Sequence, residues 1–185
     1  AYRSRFAESI RLLARLRQRF RPDDWTHAPE LVSQARLHLA PRRFPKRNCT
    51  SADVWAAIAD VAWVPIVQRA ALEALCNTPE GPLRLAAFQV RATSRVLRHY
   101  QGADAATGTV VTAGTGGGKT KAFYIPAFLG IAADVARDPR HTTKVLSIYP
   151  RNVLLTDQFG EAAAQAMLVN AALARSVNRP IRVGA

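Results

Sequence analysis

Residues 110–120 read VVTAGTGGGKT. Gly114, Gly116, Gly117 and Gly118 crowd into five positions and are followed at once by Lys119 and Thr120. A polyphosphate carries several negative charges and needs hydrogen-bond donors on many sides. A strand that turns sharply into a helix points successive backbone N–H groups inward, and glycines let that backbone come close in unusual conformations. The start of the following helix adds a partial positive charge. On this reading Ala113, Gly114, Thr115, Gly116, Gly117 and Gly118 line a phosphate nest. Lys119 reaches the β- and γ-phosphates, and Thr120 places its hydroxyl on Mg²⁺.

The flanking elements are those such a loop needs. Thr107 to Thr112 is rich in Val and Thr and predicts a short strand before it. A helix is expected after it, from about Lys119 to Ala136. The turn Asp138-Pro139-Arg140 leads to KVLSIY (144–149), a second, buried strand. Asn152 to Arg175 reads as a long helix, and Pro180-IRVGA as the start of a third strand. Strand–helix–strand–helix–strand with short turns predicts an α/β fold with a parallel sheet and right-handed crossovers. Upstream, residues 83–100 enter a helix. Ser51-Ala-Asp opens a helical region to about residue 76 that Pro65 should kink or split. Asn77-Thr-Pro-Glu-Gly-Pro is a linker. It divides the chain into a basic helical N-terminal region, 1–80, and the α/β region, 81–185.

The usual phosphate-loop pattern, G-x-x-x-x-G-K-[ST], has glycine where this chain has Ala113. As written, Ala113 to Thr120 resembles motif I of superfamily-2 DExD/H-box helicases, where alanine is common at that position; TAGTGGGKT differs from their frequent TAGTGSGKT only at Gly117. Two further segments resemble the same family. Phe88-Gln89, in LAAFQVRAT, is similar to its Q-motif region. That likeness makes Gln89 the adenine reader, since an amide can donate to and accept from the adenine edge at once. The segment YPRNVLLTDQ (149–158) is similar to motif Ia of the form YPxxALxxDQ, with Val153 where alanine is frequent. In the family this turn touches the backbone of a nucleic-acid strand, which implies that role for Pro150, Arg151 and Asn152; exposed N–H groups and a basic side chain suit phosphate contact without base readout. The wording of YPRN is most similar to long bacterial helicases of anti-phage defence systems.

The resemblance covers residues 83–185 and implies the first part of a RecA-like, ATP-binding motor domain, with ATP and Mg²⁺ as cofactors. Nucleic acid, DNA before RNA, is the expected partner. The family also uses a D-E-x-D or D-E-x-H motif and arginines from a second RecA-like domain; neither acidic motif occurs in this sequence. The expectation is therefore a fragment of a longer helicase, binding ATP weakly and not turning it over, with further helicase domains elsewhere in the same protein.

Composition agrees with an anionic partner. The net charge is +13, and residues 1–50 hold twelve Lys and Arg against four Asp and Glu. Such an excess attracts nucleic acid. Phe6, Ile10, Leu13, Leu16 and Phe20 predict an amphipathic helix whose other face carries Arg11, Arg15 and Arg19. APRRFPKRN (40–48) reads as an exposed basic loop. This region could also dock a partner protein. Cys49 and Cys76 lack metal or disulfide spacing and predict free thiols in a reducing compartment, hence the cytoplasm. The four histidines are scattered and predict no metal site. No apolar run is long enough to span a membrane. Two other function classes fit the same residues: a phosphate-loop ATPase or kinase that does not act on nucleic acid, and a non-catalytic basic module that docks on DNA.

Overall fold

The computed structural model describes residues 8–9, 44–78, 81–103, 108–114, 116–138, 140–149, 152–177 and 179–184. The chain divides into two compact units, Ala1–Arg42 and Arg43–Ala185. In the first unit Glu8 and Ser9 are helical. The predicted Arg11/Arg15/Arg19 stripe lies outside the described residues.

The second unit is mainly helical. Its elements are β1 (Arg47–Cys49), α1 (Ser51–Ile58), a 3₁₀ turn (Ala59–Val61), α2 (Pro65–Cys76), β2 (Asn77–Thr78), β3 (Gly81–Pro82), β4 (Leu85–Ala86), α3 (Ala87–Tyr100), α4 (Lys119–Arg137) and α5 (Asn152–Leu173). Local chemistry sets the helix starts. Thr50 caps α1 reciprocally with Asp53: the Thr50 N–H donates to the Asp53 carboxylate at 2.7 Å, and the Asp53 N–H donates to the Thr50 hydroxyl at 3.4 Å. The bonds from the Thr50 backbone and hydroxyl hold the Asp53 carboxyl below its usual range. Pro65 splits the 51–76 region as expected and stands at the first position of α2, where its missing N–H costs nothing. The buried Gln68 side chain turns back over that start and accepts from the N–H groups of Trp63 and Val64 at 2.9 and 3.0 Å.

Helix α4 is the centre of the core. Ile125, Phe128, Leu129 and Ala132 along it meet Leu72 and Leu75 of α2, Leu97 of α3, and Val169 and Leu173 of α5 in one buried cluster. Each large aliphatic side chain so buried contributes about 1.5–3 kcal/mol. Helices 51–58 and 65–76 thus share a core with the helix that follows the glycine loop, and the compact unit starts at Arg43, ahead of the composition change near residue 80. Cys49 and Cys76 are both free thiols. Burial pushes the Cys76 thiol up to about 11, which keeps it protonated and unreactive.

The sheet is where structure and sequence part. Two small antiparallel ladders occur, β1 with β4 and β2 with β3. No parallel sheet is present among the described residues. Residues 108–112 and 144–149, expected as buried strands, run without a ladder, and Val110, Leu146 and Ile148 are 89%, 79% and 84% exposed. The 180–184 segment is no strand either: the Asn170 side-chain amide takes both backbone groups of Ile181, accepting from its N–H at 2.7 Å and donating to its carbonyl at 2.9 Å. β-branched residues favour strands only where neighbouring strands supply pairing; among the described residues 108–112 and 144–149 have no strand beside them, and Ile181 is buried in the core without one. The basic loop expected over 40–48 is corrected at its end, where Arg47 enters β1.

Candidate functional site

The glycine loop closes on itself and is gripped from outside. The Gly117 N–H donates to the Gly114 carbonyl at 3.0 Å. Gly116 and Gly118 adopt positive φ, 77° and 84°, the left-handed region that glycine enters without steric cost. Gly118 is the cap position of α4, so the loop ends where the helix N-terminus begins. Lys119, the first residue of α4, folds back: its ammonium donates to the Ala113 carbonyl at 2.7 Å and to the Gly114 carbonyl at 3.2 Å. Thr120 follows it, partly exposed. Thr115 lies outside the described residues.

Gln89 stands against this loop. It is 3% exposed, and both ends of its amide are engaged. The oxygen accepts from the Ala86 N–H at 2.7 Å, satisfying one of the free donors at the start of α3. The nitrogen donates to the Gly118 carbonyl, also at 2.7 Å. Of the amide's four hydrogen-bonding sites these two bonds use one donor and one acceptor. A side chain at Gly118 would put its Cβ 2.9 Å from the Gln89 nitrogen and 3.3 Å from Nη2 of Arg47. At Gly117 it would lie 2.9 Å from the Gly114 carbonyl oxygen. Both positions are tight because the chain's own atoms, the Gly114 carbonyl at Gly117 and the Gln89 and Arg47 side chains at Gly118, close on the loop backbone.

The motif Ia-like region is built differently. Pro150 and Arg151 lie outside the described residues, and Asn152 opens α5. Around it, the buried Tyr124 of α4 donates to the Gln158 carbonyl at 2.8 Å and lies 3.4 Å from the Tyr149 hydroxyl. Burial, then the Tyr149 hydroxyl, raises the Tyr124 phenol well above its ordinary range. Lys121 pairs with Glu161 at 2.8 Å. These contacts lash the first turns of α4 to α5, so the residues after Lys119 and the 149–158 segment are held on one scaffold.

Sequence reasoning did not single out Arg47, Lys121 or Tyr124. Arg47 sat within a run of basic residues, and no spacing marks which of them returns to the loop. A cavity of about 190 Å³ lined by Ala132, Val135, Asn170, Leu173 and Ile181 lies near the other end of α4. At 1.5 Å per residue that is about 20 Å from Lys119, too far to serve the loop. Among the described residues no group of three or more His, Cys, Asp or Glu side chains could hold a metal. Thr120 is the loop side chain whose hydroxyl could take a Mg²⁺ held mainly by phosphate oxygens, an ion that keeps few protein donors. No helix among the described residues is long and apolar enough to cross a membrane. Comparison with protein-family models, curated proteins and solved structures gives no match for the chain.

Proposed function

We propose that this chain is part of an ATP-dependent nucleic-acid helicase or translocase and carries its nucleotide-binding half-site. The observation that carries the reading is the loop itself. Four glycines end at the N-terminus of a buried helix, with Lys119 at its first position and an amide-bearing side chain, Gln89, pinned to the last glycine. That arrangement offers backbone donors, a helix terminus and an ammonium to one anion. In this reading Lys119 leaves the Ala113 and Gly114 carbonyls for the β- and γ-phosphates. Thr120 ligates Mg²⁺, and the Gln89 amide meets the adenine edge. The likeness of 149–158 to motif Ia assigns contact with the nucleic-acid backbone, DNA before RNA, to Pro150, Arg151 and Asn152. In this reading residues 108–112, 144–149 and 180–184, which run without a ladder here, become strands of a RecA-like parallel sheet once further strands lie beside them, and their β-branched composition supports that. A magnesium ion bound there neutralises charge on the transferred phosphate. The chain's own residues bind and orient the nucleotide.

Titration calorimetry with ATP and Mg²⁺ tests this. The chain binds, and Lys119→Ala weakens binding at least tenfold while circular dichroism stays unchanged. Equal affinity in the variant removes the site assignment. In the protein with its remaining domains, single-stranded nucleic acid stimulates ATP hydrolysis. Hydrolysis indifferent to nucleic acid would instead point to a phosphate-loop ATPase or kinase of another class.

A further inference from the structure

Arg47 lies in the basic 40–48 run, outside the phosphate-loop, Q-motif and motif Ia segments, and its guanidinium is beside the last glycine of the loop. Nη2 is 3.3 Å and Cζ 3.9 Å from the place a Gly118 Cβ would occupy, next to the Gln89 nitrogen at 2.9 Å. Three features put it there. First, β1 pairs with β4, and Arg47 is opposite Ala86, the residue whose N–H the Gln89 side chain caps. Second, the register slips: Arg47 pairs with Ala86 and Cys49 with Leu85, leaving Asn48 as an extra residue. In a regular strand Arg47 and Cys49 would share one face. The bulge separates them, as bulges do when they re-aim a side chain, so Cys49 packs against the core while Arg47 stays exposed. Third, no acidic side chain among the described residues draws its guanidinium away into an ion pair.

A guanidinium carries five donors in a planar fork suited to phosphate oxygens. Lys119 approaches the loop from the helix side through Ala113 and Gly114, and Arg47 from the Gln89 side at Gly118. The two cations bracket the glycine run. We propose that Arg47 is a second phosphate-binding cation of the nucleotide site, contacting the same polyphosphate as Lys119 from the side of Gln89. The inference rests on the nucleotide-binding reading above and adds a residue to it.

The test measures ATP and inorganic tripolyphosphate binding by calorimetry for wild type, Arg47→Gln and Arg47→Lys, with circular dichroism on each. Arg47 is exposed, so the fold is expected to survive. Arg47→Gln should weaken both ligands by about tenfold, and Arg47→Lys, which keeps the charge without the fork, by less. Unchanged ATP affinity in Arg47→Gln overturns the proposal. So does a loss confined to ATP with tripolyphosphate unaffected, which would assign Arg47 to the base. Wild-type protein that binds neither ligand would fail the nucleotide reading itself, and Arg47 with it. If Arg47→Gln loses its helical signal, Arg47→Lys decides: it should still bind more weakly than wild type, and equal affinity for both ligands is again the overturning result.

Discussion

The Gln89 side-chain amide donates to the Gly118 carbonyl at 2.7 Å, joining the start of α3 to the cap of α4 through one buried group. The same amide caps α3 at Ala86. Gln89→Ala leaves both a buried N–H and a loop carbonyl unpaired. Losing such partners costs about 1–3 kcal/mol. Urea unfolding should show an unfolding free energy lowered by that amount, seen as a lower midpoint at unchanged slope, and nucleotide affinity should fall with it. A midpoint equal to wild type would mean that water replaces the amide without cost.

Glycine is required at two neighbouring positions for different reasons. At Gly118 the backbone is left-handed, φ 84°, which disfavours any side chain by roughly 1 kcal/mol. At Gly117 a Cβ would stand 2.9 Å from the Gly114 carbonyl oxygen and 3.2 Å from the Ala113 Cβ, so the backbone itself must yield. Gly117→Ser, the residue frequent in the motif this loop resembles, should open the Gly117–Gly114 turn. Amide exchange at 114–118 should speed up while the global unfolding midpoint holds. Exchange as slow as in wild type would contradict the closed turn.

Acid should weaken the turn after α4. Hydrogen bonds from the Arg140 side chain and backbone, then from Lys144, hold the Asp138 carboxyl far below the usual carboxylate range. A carboxyl depressed in the folded state stabilises fully above its unfolded value, near 4, and that contribution is lost as pH falls through the folded value. Wild type should therefore be more stable than Asp138→Asn at pH 6, and the gap should shrink steadily below about pH 4. A gap independent of pH in thermal melts would show that the ion pairs contribute nothing.

Leu146 and Ile148 sit exposed in the 144–149 segment, with Val145 between Lys144 and Leu146 at 42% exposure. Contiguous apolar exposure of this kind promotes association. Leu146→Lys with Ile148→Lys should reduce light scattering at high protein concentration without changing the melting temperature. Undiminished scattering would place the sticky surface elsewhere.

The helices were legible because their signals are local. Pro65 at a helix start and the glycine run before Lys119 each need only their own neighbours. The ends of α5 fall within two residues of the expected ones: Asn152 as read, Leu173 in place of Arg175. The expected strands depended on pairing that no local pattern supplies. KVLSIY has strand composition, but composition does not say what lies beside it. Asn170, reading as a polar residue on a helix, turned out to satisfy Ile181 in the way a neighbouring strand would. The candidate site divides along the same line. Lys119 and Gln89 could be named from motifs, whereas Arg47 arrives through a two-strand ladder and a one-residue bulge.

Helix α3 is a lever arm with its short end on the glycine loop. Gln89 fixes its first turn to Gly118, Ser94 donates to the Ala57 carbonyl of α1 at 2.9 Å, and Arg98 pairs with Asp60 at 2.6 Å. Its far end, Tyr100, stacks on Trp63 with ring centroids 5.4 Å apart. Fourteen helical residues span about 20 Å, so one rod joins the last glycine of the loop to an indole at its far tip, and Trp63 is tied to a loop it lies a helix length away from.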